Sequence, residues 1–193
     1  MRNESHDGLI PQHGGYRNLR SFQTAQLVYD GTVTFCNRFI DRRSRTHDQM
    51  VQAARSGVQN IAEGSMASAT SKKMELKLTG VARASLEELL LDYQDFLRQR
   101  GLRLWQKDSP EALAVRTKYQ GSPSDKADGL DGSDDYGIRN AEPEVAANTL
   151  ICLINQASYL LGRQLKALEQ KFLKEGGFTE QLYRKRQERR NDS

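Results

Sequence analysis

Apolar residues recur along the chain at steps of three and four over several long stretches, which is the spacing of one face of an α-helix. Three such stretches, residues 21–41, 47–63 and 72–100, precede residue 102. The second stretch has a centre of small residues around Gly57. Because glycine inside a helix costs about 1 kcal/mol relative to alanine, Gly57 predicts a close approach to a neighbouring helix.

Small polar residues between these stretches predict where the helices begin and end. Thr46 is placed to cap the second helix and Gly64 to end it, while Thr70 or Ser71 is placed to cap the third. Gly101 follows the third helix in the usual terminating position. The links are short, which favours antiparallel neighbours.

The most regular pattern lies in residues 143–175. Its seam alternates steps of four and three, as in helices packed at about 20°, through Ala147, Ile151, Ile154, Ser158, Leu161, Leu165, Leu168 and Phe172. Residues 150–154 are all apolar and occupy the whole circumference of the helix, so we expect this part to be buried on every side. One bundle neighbour does not supply that cover. We therefore expect a homo-oligomer with four leucines at its interface: Leu91, Leu150, Leu153 and Leu160.

An insertion separates the third helix from this last long one. Residues 102–120 predict a shorter helix with Ser109 and Pro110 near its start. Residues 121–141 are rich in Gly, Ser and Asp and predict a loop that hangs off the domain.

These elements predict an all-α fold. It is an antiparallel up-down four-helix bundle with an extra helix and loop inserted between helices three and four and a short C-terminal helix. We divide the chain into a flexible N-terminal arm at 1–15, the bundle at 16–177 with its insertion at 102–142, and a C-terminal helix with a basic tail at 178–193.

Charge is distributed unevenly along the chain. The formal net charge is +4, yet residues 121–147 hold seven acidic and two basic side chains, so the remainder is markedly basic. A basic body attracts polyanions, although the same charges also serve solubility.

Two basic sets are candidates for contact with nucleic-acid phosphates. One opens the third helix and the other lies in the tail: Lys72, Lys73 and Lys77, then Arg184, Lys185, Arg186, Arg189 and Arg190. In an up-down bundle the third helix begins where the fourth finishes, so we expect the sets to meet at one pole. A weaker candidate lies at the opposite pole, at Arg42, Arg43 and Arg45. The plainer alternative is a solvated charged face, and aromatic residues do not interleave the sets, so stacking on single-stranded bases is not predicted.

The sequence lacks the patterns of common catalytic and metal sites. His6, His13 and His47 are scattered, and no phosphate-binding glycine loop, nucleophile elbow or zinc spacing occurs. Residues 131–142 echo a calcium loop, but Tyr136 stands where that loop needs glycine. We expect no enzymatic activity, no metal and no cofactor.

The cysteines and the apolar runs bear on the cellular compartment. Cys36 and Cys152 lie in apolar helical stretches without C-x-x-C spacing, which favours small buried hydrophobes in a reducing compartment. The sequence opens without an apolar run of signal-peptide length, and no run of about eighteen apolar residues occurs. We expect a cytoplasmic protein with no membrane partner.

The second and third stretches resemble a known family. Residues 49–64, QMVQAARSGVQNIAEG, then SKKME at 71–75 and ASLEEL at 84–89, are similar to the four-helix bundle proteins related to those encoded by intervening sequences in bacterial 23S rRNA genes. The similarity covers about residues 16–101 and less of 143–175, and the insertion and tail resemble a longer "suffix" subtype.

The resemblance implies an antiparallel bundle that assembles into a ring, a pentamer, without enzymatic activity. A relative in that fold group, the accessory variability protein of diversity-generating retroelements, is a basic pentamer that binds nucleic acid and a reverse transcriptase. Nucleic-acid binding by the present chain is an analogy at this point, because a fold alone does not establish a function.

Two hypotheses about function follow. The leading one is a non-enzymatic oligomeric bundle that binds RNA or DNA through basic surfaces as an accessory or structural factor. The alternative is a homo-oligomeric scaffold or protein-interaction module with no nucleic-acid role. A ligand pocket at the bundle axis would need polar groups inside the seam, and Ser85 and Ser158 are too few to form one.

Overall fold

The structure is a computed structural model that describes residues 15–121 and 136–191. Within these residues all regular secondary structure is helical, so the all-α prediction is confirmed. A 3-10 turn, Gly15–Asn18, precedes six α-helices: α1 (Arg20–Phe39), α2 (Arg45–Ala67), α3 (Lys72–Gln99), α4 (Pro110–Gly121), α5 (Pro143–Glu175) and α6 (Phe178–Asn191). The predicted arm up to residue 14 and loop residues 122–135 lie outside the described residues.

The helix boundaries follow the sequence prediction closely for α1, α3 and α5 and depart from it elsewhere. Ser71 caps α3 as predicted, because its Oγ accepts a hydrogen bond from the backbone N–H of Met74 at 3.2 Å. The cap of α2 is Ser44 rather than Thr46, whose own N–H donates to Ser44 Oγ at 3.2 Å. The inserted helix α4 begins at Pro110, and residues 102–109 form no helix.

Gly64 does not end α2, which continues to Ala67. A Cβ at Gly64 would lie 3.4 Å from the carbonyl oxygen of Glu75, so this glycine lets α3 approach the backbone of α2. Gly57, two turns earlier, is packed in the same way against Leu86. The predicted close approach at Gly57 is therefore confirmed, and the packing explains why α2 contains both glycines.

The four long helices pack in a closed circuit. α1 lies against α2 and α5, and α3 lies against the same two helices. The contacts between α1 and α5 run antiparallel: Ser21 Oγ donates to Gln164 Oε1 at 2.8 Å, whereas Gly31 lies against Leu150. The core between the helices is a single apolar cluster to which each of the four contributes.

Aromatic rings fill the part of the core where α1 faces α3. Phe35 makes edge-on contacts with Tyr93 and Phe96, with ring centroids 4.9 and 4.8 Å apart. The hydroxyl of Tyr93 is buried and donates to Thr32 Oγ1 at 3.1 Å. Burial raises the pKa of Tyr93, and this hydrogen bond supplies the partner that a buried hydroxyl needs.

One buried amide holds the start of the insertion on α5. Asn148, 1% exposed, donates from Nδ2 to the carbonyl oxygens of Arg103 and Glu144, and its Oδ1 accepts from the backbone N–H of Trp105, each at 2.8 Å. The Arg103 side chain adds ion pairs with Glu111 and Glu144. Because this segment has no helical hydrogen bonds of its own, Asn148 provides the partners for its backbone.

The end of α4 and the residues just before α5 pack on α1. The hydroxyls of Tyr119 and Thr24 share a hydrogen bond at 2.6 Å. Ile138 is fully buried against Gly31, and its carbonyl oxygen accepts from Arg38 Nη1 at 2.7 Å. The last part of the predicted loop therefore packs on the long helices instead of hanging off the domain.

The burial of α5 within a single chain corrects the predicted oligomer interface that was based on the apolar circumference of this helix. Leu150 and Leu153 are 0% and 1% exposed inside a single chain, so neither presents a surface to a second copy. Leu160 is half-buried against the same core, whereas Leu91 is 58% exposed. Residues 150, 151, 153 and 154 are already buried within one chain, so the apolar circumference of α5 does not require other copies, and self-association stays a prediction.

The second half of α5 is covered less completely. In the described structure no residue of this helix after Leu161 is fully buried, although the seam continues through Leu165, Leu168 and Phe172. Leu173 is 77% exposed. By length and composition alone α5 is apolar enough to cross a membrane. Of its most apolar 18 residues, 56% are buried inside the protein. The seam residues that stay incompletely buried therefore lie in the last part of the helix.

We expect Gly57→Ala to lower the free energy of unfolding and Gly80→Ala to raise it. A Cβ at Gly57 would lie 2.9 Å from Cδ2 of the buried Leu86. The packing strain, about 1–3 kcal/mol, exceeds the gain in helix propensity of about 1 kcal/mol. At Gly80 the same Cβ would meet no heavy atom within 4 Å. Urea unfolding measures both changes, and equal stabilisation by the two substitutions would contradict the close approach of α2 and α3.

We expect Asn148→Ala to release the segment before α4, because the backbone carbonyl of Arg103 and the backbone N–H of Trp105 lose their partner in partly buried hydrogen bonds. The cost is at most about 1–3 kcal/mol for each group left unsatisfied. The chain has one tryptophan, so the emission of Trp105 reports the release as a red shift and faster quenching. The matched control is Asn155→Ala, since the exposed Asn155 donates only to Ile151 of its own helix, at 2.9 Å. Identical spectra for the two variants would show that Asn148 does not hold the segment.

Candidate nucleic-acid interface

The three lysines that open α3 differ in their availability. Lys72 Nζ lies 3.1 Å from Oε2 of Glu75, and the two side chains are only 23% and 10% exposed. Lys73 and Lys77 are exposed and lie one turn apart on the helix. Lys72 is thus engaged in an internal ion pair, and Lys73 and Lys77 are the members of the set that face solvent.

The second basic set lies on α6. Arg184, Lys185, Arg186 and Arg190 are exposed. The structure describes the backbone of Arg189, whose position is one turn from Lys185 and Arg186. Among the described residues α6 has no extended packing against another helix, and its described charged side chains face solvent.

The junction between α5 and α6 depends on Gly176. Its backbone angles, φ 75° and ψ −178°, belong to a region that is essentially restricted to glycine. Glu180 Oε2 accepts a hydrogen bond from the backbone N–H of Gly177 at 3.0 Å, as the third residue of a helix does in a capping box. A Cβ at Gly176 would collide with this carboxylate. Gly176 and Gly177 therefore determine the direction in which α6 leaves α5.

The two basic sets lie toward the same end of the long helices. α3 and α5 run antiparallel, since Asn148 near the start of α5 contacts Arg103 beyond the end of α3, while Gly162 lies near Arg83. The start of α3 and the end of α5 therefore share one end. Within the described residues α6 makes no extended contact with α3, so the structure brings the sets to one end without joining them.

Four further cations lie on α5, near the end of the long helices where the two basic sets are found. Residues 162–191 hold nine Lys and Arg side chains and four Glu side chains. The α5 members are exposed: Arg163, Lys166, Lys171 and Lys174. Lys171 Nζ lies 3.9 Å from Glu175 Oε2. Sequence reasoning missed these residues because α5 was interpreted as a core helix, although their positions between the seam residues were the available signal.

Arginines at the opposite end of the long helices are largely engaged within the chain. Arg38 donates to the carbonyl oxygen of Ile138, and Arg98 pairs with Asp95 at 2.8 Å. The link between α1 and α2 adds three exposed arginines, Arg42, Arg43 and Arg45. This end thus offers fewer open cations, in keeping with its place as the weaker candidate.

The thiols and the acidic stretch were the remaining candidates for chemistry. Burial, with a smaller contribution from Asp92, raises the pKa of Cys36 to about 12, and burial also raises the pKa of Cys152. Both thiols stay protonated near neutral pH, and a protonated thiol is a poor nucleophile. The seventh residue of the candidate calcium loop, whose carbonyl oxygen would bind the metal, is Gly137. That oxygen instead accepts hydrogen bonds from the backbone N–H groups of Asn140 and Ala141, at 3.2 and 3.0 Å, so the described end of the acidic stretch forms a local turn.

A polar groove of about 450 Å³ lies between α2 and α3. Ser56 and Ser85 meet in it, with their hydroxyl oxygens 2.9 Å apart. Its walls carry both signs of charge, from Arg45, Asp48 and Glu88. A surface of mixed charge does not attract a polyanion, and the groove is open at the side of the helices instead of enclosed between them.

No protein-family model matches the chain, and neither a curated protein nor a solved structure matches it. The resemblance to the intervening-sequence bundle proteins stays a prediction. The assignment of a function therefore rests on the exposed basic surface formed by the second half of α5 and by α6, called the basic end below.

Proposed function

We propose that this chain is a non-enzymatic antiparallel four-helix bundle that binds RNA or DNA through its basic end as an accessory or structural factor. A cytoplasmic location fits the proposal. The residue patterns that resemble the intervening-sequence bundle proteins point in the same direction, although the proposal is argued from the charges of this chain.

The exposed cations of α5 and α6 are the observation that carries the proposal. Nine Lys and Arg residues against four Glu in residues 162–191 give a surface with a strong excess of positive charge. Seven of the exposed cations project from two connected helices at one end: Arg163, Lys166, Lys174, Arg184, Lys185, Arg186 and Arg190. Each cation that replaces a counterion at a phosphate adds a salt-dependent contribution to affinity. Lys73 and Lys77 at the start of α3 extend the same end.

The closed circuit of α1, α2, α3 and α5 supports the bundle part of the proposal. Each long helix packs on two neighbours, and the links between α1 and α2 and between α2 and α3 are short, as in an up-down bundle. The long connection lies between α3 and α5, where the insertion packs back on α1 and α5. A bundle of this kind holds the second half of α5, from which part of the basic end projects, against its neighbours.

We expect labelled RNA and DNA to bind the chain with an affinity that falls as salt rises from about 50 to 200 mM. A variant with Arg184, Lys185, Arg186 and Arg190 changed to Gln should reduce the slope of log K against log salt. The reduction should be about 0.7–0.9 for each phosphate that the variant no longer neutralises. Fluorescence anisotropy titrations at several salt concentrations measure both quantities.

The matched control changes Arg42, Arg43 and Arg45 to Gln at the opposite end, and we expect it to leave the slope nearly unchanged. Circular dichroism establishes that both variants keep their helices. The proposal fails if the unaltered chain does not bind at low salt, if its affinity does not depend on salt, or if the control variant loses more affinity than the α6 variant.

The alternative is a homo-oligomeric scaffold or protein-interaction module without a nucleic-acid role, and one observation favours it. The seam beyond Leu161 stays incompletely buried at Leu165, Leu168 and Phe172, which leaves an apolar stripe for another helix. The stripe replaces Leu150 and Leu153 as the surface on which self-association would depend.

For this alternative we expect light scattering to give a multiple of the 21.9 kDa chain mass, and Leu168→Glu to restore a single chain. The charge at position 168 would be desolvated in such an interface, which is unfavourable. Leu113→Glu is the control, because Leu113 is exposed but lies on α4 of the insertion and outside the stripe. A single-chain mass at every protein concentration contradicts the scaffold.

A further inference from the structure

We propose that the basic end binds single-stranded nucleic acid in preference to a duplex, with unpaired bases stacked on Tyr159 and Tyr183. The inference rests on the proposed function and adds the form of nucleic acid that the surface recognises. It reverses the expectation from sequence that aromatic residues do not interleave the cations.

The two tyrosines are among the most exposed large side chains that the structure describes. Tyr159 in α5 is 61% exposed and Tyr183 in α6 is 64% exposed. Most aromatic rings in the described residues are buried or half-buried, as Phe35 and Tyr93 are. A solvated phenol ring offers a flat π surface, and every nucleobase can stack on such a surface.

Each tyrosine has two exposed cations on its own helical face, within two turns of the helix. Tyr159 is followed by Arg163 four residues later and Lys166 seven residues later, and all three are exposed. Residues at these spacings lie on one face of a helix, so the ring and the two cations form a single strip.

Tyr183 repeats the arrangement on α6. Arg186 and Arg190 follow it by three and seven residues, and both are exposed. The Tyr183 hydroxyl accepts a hydrogen bond from Gln187 Nε2 at 2.8 Å, which restrains the ring one turn from the cations. Sequence reasoning missed this repeat because it looked for aromatics between consecutive cations, whereas neighbours on a helix are three, four and seven residues apart.

Charge complementarity selects the occupant of these strips. The surrounding surface is strongly basic, which opposes a second copy of the same chain and favours a polyanion. A duplex satisfies the cations but keeps its bases stacked on each other, so it gains nothing from the two rings. A single strand satisfies both the cations and the rings, since its phosphates and its bases are exposed together.

The test compares a labelled mixed-sequence single strand of about 16 nucleotides with its duplex in anisotropy titrations of the full chain. Tyr159→Ala and Tyr183→Ala should each weaken single-strand binding about tenfold, and the double variant should lose more, with duplex binding changed less than about twofold. Tyr159→Phe and Tyr183→Phe should restore single-strand binding, because the ring stacks without its hydroxyl.

Leu173→Ala is the matched control, since Leu173 lies between the two tyrosines in sequence and is 77% exposed but has no π surface. It should leave both affinities unchanged. The inference is overturned if the alanine variants bind the single strand as the unaltered chain does, if the duplex is preferred, or if anionic lipid vesicles bind more tightly than either nucleic acid. Salt-dependent binding of both forms with neutral tyrosine variants would overturn this inference alone, whereas no binding at low salt would overturn the proposed function as well.

Discussion

The apolar circumference of α5 between Leu150 and Ile154 is the constraint on which the rest of the structure depends. A helix that is apolar on every side cannot sit at the surface of a bundle, where one side faces water. The neighbours α1 and α3 cover two sides, and the insertion covers what they leave. Asn148 is decisive here, because a single buried amide binds an irregular segment to the helix through its backbone. Leu150 lies between α1 and the insertion, because Gly31 and Ile138 both pack beside it.

The cover also divides the molecule into two ends with different properties. At the end that carries the insertion, arginines are engaged with carboxylates and backbone carbonyls, as Arg103 and Arg38 are. At the other end α5 extends past its last fully buried residue, Leu161, and then turns at Gly176 into α6. The described cations at this end mostly face solvent. The two ends therefore differ in how many of their cations are open to solvent.

The helices could be predicted from the sequence. The packing of the insertion on α5 and the exposed cations of α5 could not. Heptad spacing defined α5 because the spacing of apolar residues depends only on helix geometry. Gly57 could be placed at a helix contact because a glycine inside a helix lowers its stability unless close packing requires it. Gly64 was misinterpreted because a glycine that packs against a neighbour and a glycine that ends a helix look alike in sequence. The bonds of Asn148 to Arg103 and Trp105 span more than forty residues and follow no periodicity. The cations of α6 were evident because they are nearly consecutive in the sequence. Only the folded helix shows which cations of α5 face solvent.

Ionic strength acts on the two candidate functions in opposite directions. The counterions released when a polyanion binds gain less entropy at high salt, so nucleic-acid affinity falls as salt rises. The same salt screens the repulsion between the basic ends of two copies, so contact between their apolar stripes becomes more favourable. The charges of residues 162–191 thus connect the two hypotheses physically: the surface that attracts a nucleic acid at low salt is the surface that keeps the copies apart.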